Sequence, residues 1–255
     1  MKAARITRRS RSGVRVEVVA ETGSTNADLL ARAPQLNWPL MLVAGHQSAG
    51  RGRAGRSWLS DPAGSLTFSL AWKFTGAVQQ LAGLPLAVGV ALAEALDALE
   101  VPVRLKWPND LLKDGAKLAG VLIETQAAPD GGTWAVVGVG LNLLMPDALE
   151  AQIGHSVGAA PWLAQMERET LLAALLDKLA SALREFELTG FAPFCARWNR
   201  LHAWQGQLVA VLDHGSVLHE GVAAGVDDGG RLLLDCADGR IAVVAGDVSL
   251  RVKEA

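Results

Sequence analysis

Cysteine is scarce: the 255-residue chain carries two, Cys195 and Cys236. Their spacing fits neither a metal-ligand nor a redox motif, so both read as buried thiols in a reducing compartment. Long apolar runs are missing as well. The longest, Leu81 to Ala93, spans about thirteen residues and is followed by Glu94 and Asp97. That is too short to cross a bilayer and reads as a core helix. The N-terminus lacks the apolar stretch of a signal peptide, so a cytoplasmic protein with no membrane partner is expected. There is no basic excess, with 24 Lys and Arg against 26 Asp and Glu, a net charge of -2 and a pI near 6.2. A nucleic-acid binder would show the opposite balance. No internal repeat is present. Half of the residues are hydrophobic, enough for one large domain or a large one with a small companion.

A basic run opens the chain: Lys2, Arg5, Arg8, Arg9 and Arg11. Residues 1–13 read as a disordered, solvated lead-in. The stretches "VRVEVVA" from Val14, "LMLVAG" from Leu40, "SLTFSLAWKF" from Ser65 and "VRLKW" from Val103 read as strands. So do "LAGVLIET" from Leu118 and "TWAVVGVGLNLL" from Thr133, with "APDGG" as the turn between them. Ser24 reads as the N-cap of a short helix. Gln79–Leu99, Arg168–Leu188 and "FAPFCARWNRL" read as further helices, the second with leucines along one face. From Gly206 short apolar segments alternate with the turn signals "DHGS", "DDGG" and "ADGR". That pattern predicts a small, barrel-like all-β unit of about 45 residues. The fold class is α+β, a mixed α/β domain over 14–204 followed by a β domain over 205–255.

The densest oddity is "GRGRAGRSW", residues 50–58. Gly50, Gly52 and Gly55 satisfy the dinucleotide spacing, but no helix follows and no acid stands about twenty residues on. Gly50 and Gly55 have P-loop spacing, but Arg56 replaces the lysine. A single copy inside an apolar domain is unlike a repetitive RGG segment. The remaining functional reading is a mobile loop for an anionic ligand. Its glycines admit close backbone approach and its arginines offer planar forks for phosphate or carboxylate. The plain alternative is a solvated arginine loop, in which the three arginines repel one another.

Three other stretches share this character. In "KWPND", Lys106 to Asp110, either Asn109 and Asp110 form a simple turn or Asp110 points into a cleft; the residues leave both open. Lys117 opens a buried strand, where it either snorkels to water or meets an anion. Gly138, Gly140 and Asn142 interrupt an apolar strand, as at a bulge or at a close ligand approach. Asn142 offers both a donor and acceptors, which suits an adenine edge.

Taken in order, "STN" at Ser24–Asn26, Gln47, "GRGRAGRSW", "KWPND", "KLAGVLIE" and "GVGLN" resemble the biotin protein ligase family, from about Val14 to Arg251. Each motif is weak alone; the ordered set is specific. The resemblance implies a biotin/lipoate protein ligase-like catalytic domain with a small SH3-like C-terminal domain. It implies formation of biotinyl-5'-AMP from biotin and ATP, with Mg2+, and transfer to one lysine of a biotin carboxyl carrier protein. It implies that Ser24, Thr25 and Gln47 bind the ureido ring, with Asn26, Gly50, Gly120 and the backbone of Arg51, Gly52 and Arg53 also at biotin. Arg53 and Lys117 would neutralise carboxylate and α-phosphate. Trp58 would pack at the ligand and Asn142 would read adenine. Asp110 would orient the carrier lysine or a magnesium ion, and Arg56 and Arg251 would meet the β- and γ-phosphates. Some members carry an N-terminal DNA-binding winged helix of about sixty residues, whereas about thirteen precede the first strand here. No DNA partner or repressor function is therefore expected. The chain is expected as a monomer or homodimer. The rivals are a lipoate or octanoate ligase, told apart by which acid releases pyrophosphate, and a non-catalytic adenylate sensor, which would lack Lys117 or Asp110.

Overall fold

A computed structural model describes residues 1–153, 157–213, 215–246 and 248–253. Seven strands form the main sheet: β1 (Arg15–Thr22), β2 (Leu40–Gln47), β3 (Ser65–Phe74), β4 (Arg104–Lys106), β5 (Asp110–Lys113), β6 (Ala116–Ala127) and β7 (Thr133–Asn142). Their order is β1-β2-β3-β7-β6-β5-β4, with β1 parallel to β2 and the other pairs antiparallel. Every residue of β7 is buried, as a central strand covered on both faces requires. The described helices are α1 (Ala3–Arg9), α2 (Thr25–Arg32), α3 (Leu84–Asp97), α4 (Asp147–Ile153), α5 (Pro161–Ala164), α6 (Arg168–Thr189) and α7 (Ala192–Leu201).

Ser24 caps α2 as its sequence promised, its side chain accepting from Ala27 N. The helix foreseen at Gln79–Leu99 is instead two pieces. A 3-10 turn over Val78–Leu81 precedes α3, and Gly83, at φ 80, breaks between them. Val78–Asp97 has the length and hydropathy of a membrane-crossing segment, yet 61% of it is buried inside the protein. It packs against α6 as part of the core.

The basic lead-in is not a disordered tail. Residues 3–9 form α1, and Ile6 is fully buried in the core. Acidic groups of α6 and its N-terminal flank hold the segment down. Lys2 N donates to Glu169, Arg9 pairs with Glu167, and Ser10 Oγ and Arg11 N both donate to Asp177, at 2.6 and 2.8 Å. Charge runs are solvated only where no opposite run is folded against them.

The C-terminal sheet has five antiparallel strands: β8 (Leu208–Asp213), β9 (Ser216–Val226), β10 (Leu232–Cys236), β11 (Gly239–Val243) and β12 (Val248–Val252). Their order, β11-β10-β9-β8-β12, is a meander whose last strand returns to the first. "DDGG" and "ADGR" span the β9–β10 and β10–β11 turns; in "DHGS" position 214 lies outside the described residues. This unit is fastened to the main one by hydrogen bonds at least partly buried. Asn199 on α7 donates to Val226 O at 3.1 Å and accepts from Val226 N at 2.8 Å. The fully buried Trp107 indole donates to Gly230 O at 3.2 Å. These clamps place β12 beside the ends of β4 and β5.

Candidate active site

A cavity of about 550 Å³ opens over β3, β6 and β7, with residues 248–251 of β12 as its far wall. Ser24, Thr25, Asn26, Gln47, Arg51, Gly52, Arg53, Arg56, Trp58, Asp110, Lys117, Gly120, Asn142 and Arg251 all line it. The motifs scattered over the sequence thus face one space.

One end of the cavity is uncharged and polar at its surface. Thr25 N donates to Gln47 Oε1 at 2.8 Å. Thr25 Oγ1 lies 3.0 Å from the same oxygen and 2.6 Å from Ser69 Oγ. Ser69 Oγ donates to Asn26 Oδ1 at 2.6 Å, and Asn26 Nδ2 donates to Glu124 Oε2 at 2.9 Å. Arg51 donates to that same carboxylate oxygen at 2.9 Å. Thr25, Asn26 and Ser69 are all buried, and buried polar groups persist when bonded in this way.

The other end is cationic. Asp110 opens β5, and its carboxylate lies 2.6 Å from Lys117 Nζ and 3.5 Å from Lys106 Nζ. The closer contact is a charge pair without hydrogen-bond geometry, for Asp110 Oδ1 is buried with no bonded partner among the described residues. Burial pushes the Lys106 ammonium below its ordinary value. Asp110 pulls it back up, and Arg251 and Lys117 push it down again. Two lysines share one carboxylate here and Arg251 adds its charge beside Lys106, a surplus that suits an anionic ligand. Trp58 stands beside them, with Lys117 Nζ 5.6 Å from its ring centroid. Its Nε1 is a buried donor with no partner among the described residues. Such a group costs about 1–3 kcal/mol unless a ligand accepts from it.

Between the two ends stands the Gly-Arg stretch. It is a tight hairpin: Trp58 N donates to Gly50 O at 2.9 Å, Arg51 bridges Ser57, and Gly52 N donates to Arg56 O at 2.7 Å. Ala54, at φ 52, and Gly55, at φ 69, turn its tip. Arg53 Nη1 donates to Asn109 Oδ1 at 3.1 Å, and Arg53 Nη2 to Gly246 O of the C-terminal unit. Asn109 is fixed in turn through Nδ2 to Val121 O at 2.6 Å.

One expectation needs correction, and one alternative left open by the sequence is closed. Gly50 does not line the cavity. A Cβ there would meet Trp58 O at 2.5 Å and Gln47 Nε2 at 3.3 Å, so this glycine makes room for the wall behind the ligand space. Nor do the glycines of β7 mark a bulge, since the register with β3 and β6 runs through them unshifted. A Cβ at Gly138 would lie 2.3 Å from Asn26 Oδ1, and one at Gly140 would lie 2.3 Å from Trp58. The close approach is made by site side chains lying on the sheet. Asn142 is buried, and its Nδ2 donates to Lys117 O at 3.4 Å.

Sequence reasoning passed over Lys106, Asn109, Ser69 and Glu124. The first two lay inside "KWPND", where attention fell on Asp110. Ser69 and Glu124 carry no local signal. Register alone places them, because Ser69 pairs with Gly138, and Leu122, two residues before Glu124, pairs with it from the other side.

Comparison with known proteins bears on this arrangement. The model of the biotin/lipoate A/B protein ligase family matches residues 17–142, and that of the biotin protein ligase C terminal domain matches 206–251. The Bifunctional ligase/repressor BirA of Escherichia coli strain K12 is 34% identical over 250 residues, 95% of this chain and 76% of that one. The Biotin--[acetyl-CoA-carboxylase] ligase of Mycobacterium tuberculosis is 35% identical over 242 residues, 91% of this chain and 88% of that one. Among solved structures, a biotin protein ligase from Aquifex aeolicus in complex with biotin and ATP superposes with a TM-score of 0.78 at 28% identity, covering 93% of this chain and 99% of that one.

Proposed function

Because the chain belongs to the biotin/lipoate A/B protein ligase family, we propose that its cavity seats biotin at the neutral end and ATP at the cationic end. The activity is that of an ATP-dependent biotin ligase. The biotin carboxylate attacks the α-phosphorus, pyrophosphate leaves, and biotinyl-5'-AMP remains. A carrier lysine then attacks the acyl carbon and AMP departs. The observation that carries the reading is one cavity holding a hydrogen-bonding wall and a cation surplus, bridged by the Gly-Arg hairpin.

The first step brings two anions together. At ~4 Å and an effective dielectric near 20, like unit charges repel by about 4 kcal/mol. Arg53 on the hairpin between the two ends and Lys117 at the cationic end offset that repulsion, fixed in place before substrate arrives. Lys106, Arg56 and Arg251 receive the β- and γ-phosphates. Trp58 covers the adenylate, and its indole N–H seeks an acceptor there. Asn142 reads the adenine. Asp110 holds Lys117 in place and orients the incoming carrier lysine. The catalytic unit spans 14–204 and the C-terminal unit 205–255, the latter supplying Arg251. The acceptor is the carrier domain of a biotin-dependent carboxylase, in keeping with the acetyl-CoA-carboxylase named for a relative.

No group of three or more His, Cys, Asp or Glu suited to a metal occurs among the described residues. Asp110 is already flanked by two ammonium groups. The magnesium ion belongs to the nucleotide, arriving on its phosphates as part of the substrate. A lipoyl or octanoyl group has no ring N–H or carbonyl to meet Thr25 and Gln47, and would leave buried polar atoms unpaired.

The test is pyrophosphate release from the purified protein with ATP and magnesium, with biotin, lipoate or octanoate in separate reactions. An apo-carrier is then added and its mass followed. Release with biotin alone and a biotinyl mass gain are expected. Release with lipoate or octanoate instead would overturn the substrate, and tight binding of a premade adenylate without any release would overturn the enzyme.

A further inference from the structure

The two lysines that flank Asp110 each lie over an indole. Lys117 Nζ stands 5.6 Å from the Trp58 ring centroid, and Lys106 Nζ stands 5.1 Å from that of Trp204. Trp58 belongs to the hairpin and lines the cavity, whereas Trp204 stands behind Lys106, outside the lining. It lies at the joint between the two units, just past the end of α7. The chain is fastened on both sides of it. Ala203 N donates to Leu105 O of β4 at 2.8 Å, and His202 bridges the same residue. Gly206 N donates to Ala223 O of β9 at 2.8 Å, and Ala223 N donates back to Gln207 O at 2.9 Å. Trp204 is thus pinned between one anchor in each sheet, and the first anchor is the residue directly before Lys106.

Resting on the reading above, in which Lys106 receives the β- and γ-phosphates, we propose that Trp204 is a positioning residue for ATP. Its ring face holds the Lys106 ammonium at the phosphate end of the cavity, and the joint between the two units thereby becomes part of the nucleotide site. The Lys106 side chain is only 14% exposed, and a buried ammonium needs a partner. Its carboxylate contact is long, 3.5 Å to Asp110 Oδ2, and Lys117 draws on the same group at 2.6 Å. The like charges of Arg251 and Lys117 push on it. The negative face of an indole within about 6 Å supplies the missing attraction. It does so through the ring's quadrupole, which leaves the positive charge of Lys106 uncancelled. A second carboxylate at that place would hold Lys106 as well, but would neutralise the charge that a polyphosphate needs.

Because the joint is tied to β9 as well as to β4, the seat of Lys106 depends on the C-terminal unit being docked. That unit reaches the phosphate end twice, through Arg251 of β12 and through Trp204. The role has a signature. AMP has neither a β- nor a γ-phosphate, so its binding passes Lys106 by. Biotin lies at the other end of the cavity and is equally indifferent. A role in packing alone, for a ring partly buried against the core, would instead disturb all three ligands alike.

The experiment is a double-mutant cycle on the full chain: wild type, Trp204→Leu, Lys106→Met and the double variant, with Trp204→Phe as the conservative control. Pyrophosphate release is measured with ATP and biotin varied in turn, and with AMP added as a competitor. Trp204→Leu is expected to raise KM for ATP about fivefold, the scale of one largely desolvated cation–π contact. KM for biotin and the inhibition constant of AMP should hold. Trp204→Phe, which keeps a ring face, should stay near wild type. Lys106→Met should lose at least as much toward ATP as Trp204→Leu, and the double variant no more than Lys106→Met, because without the ammonium the ring has nothing to hold. An unchanged KM for ATP in Trp204→Leu or in Lys106→Met would overturn the proposal. So would equal losses toward AMP or biotin, or losses that multiply in the double variant. If Trp204→Leu fails to fold, Trp204→Met, with more bulk and no ring, takes its place, and the Lys106→Met arm stands on its own. A wild-type chain that releases no pyrophosphate from ATP would instead remove the ligase reading itself.

Discussion

Two arginine-rich stretches of this chain look alike in composition and end in opposite roles. Arg5, Arg8, Arg9 and Arg11 crowd the lead-in; Arg51, Arg53 and Arg56 crowd the hairpin. The first stretch folds onto the acidic side of α6, where Glu167, Glu169 and Asp177 meet it one after another. It carries a buried isoleucine and no glycine among its arginines. The second has glycines on both sides of its arginines, closes on itself through backbone rungs, and presents all three arginines to a cavity. What separates a structural charge run from a functional one is therefore the partner and the scaffold, not the density of charge.

The sharpest way to break this contrast is to remove one arginine from each. Arg53→Ala is expected to slow biotinyl-adenylate formation by at least about a hundredfold, the scale for losing a single preorganised donor at a reacting anion. Its thermal melting should stay within a few degrees of wild type. Arg9→Ala removes an ion pair more than a third exposed on both sides, of a kind that contributes no more than about 1 kcal/mol. Its adenylation rate should match wild type. Pyrophosphate release by both variants decides the matter, and equal rates would show that the hairpin's charge has no special place.

A second variant tests whether the lead-in is structural. Ile6 is fully buried in the core. Ile6→Ala is expected to cost about 3 kcal/mol, from lost transfer energy and the cavity left behind. Urea denaturation should show a lower midpoint, while kcat per folded molecule is unchanged. A melting curve equal to wild type would return the lead-in to the disordered tail that its composition suggested.

The contrast also marks what the sequence could and could not show. Strands β2, β3, β6 and β7, helix α6 and the cap at Ser24 were legible because each rests on local periodicity or a local hydrogen bond. The candidate site residues were legible as a set, and all of them but Gly50 line the cavity. What stayed hidden depends on pairing between distant segments. The lead-in's helix needed the acids of α6, about 160 residues on. Ser69 and Glu124 needed the register that sets Ser69 opposite Gly138 and Glu124 opposite Val136 on the two sides of β7. Helix Leu84–Asp97 starts late because Gly83 sits where Phe191, the residue before α7, crosses, leaving no room for a Cβ.

The smallest effect separates backbone from charge within the hairpin itself. Ala54 is held at φ 52 at the tip, a conformation that costs a side-chain-bearing residue about 1–2 kcal/mol. Ala54→Gly relieves that cost but frees the unfolded chain by about 0.4–1 kcal/mol. A net gain of about 0.5 kcal/mol is expected, read as a slightly higher urea midpoint with an unchanged slope. Because the arginines and their rungs stay in place, adenylation should hold within about twofold. A rate that fell toward that of Arg53→Ala would mean that the strained tip, rather than the charge it presents, positions the reacting anions.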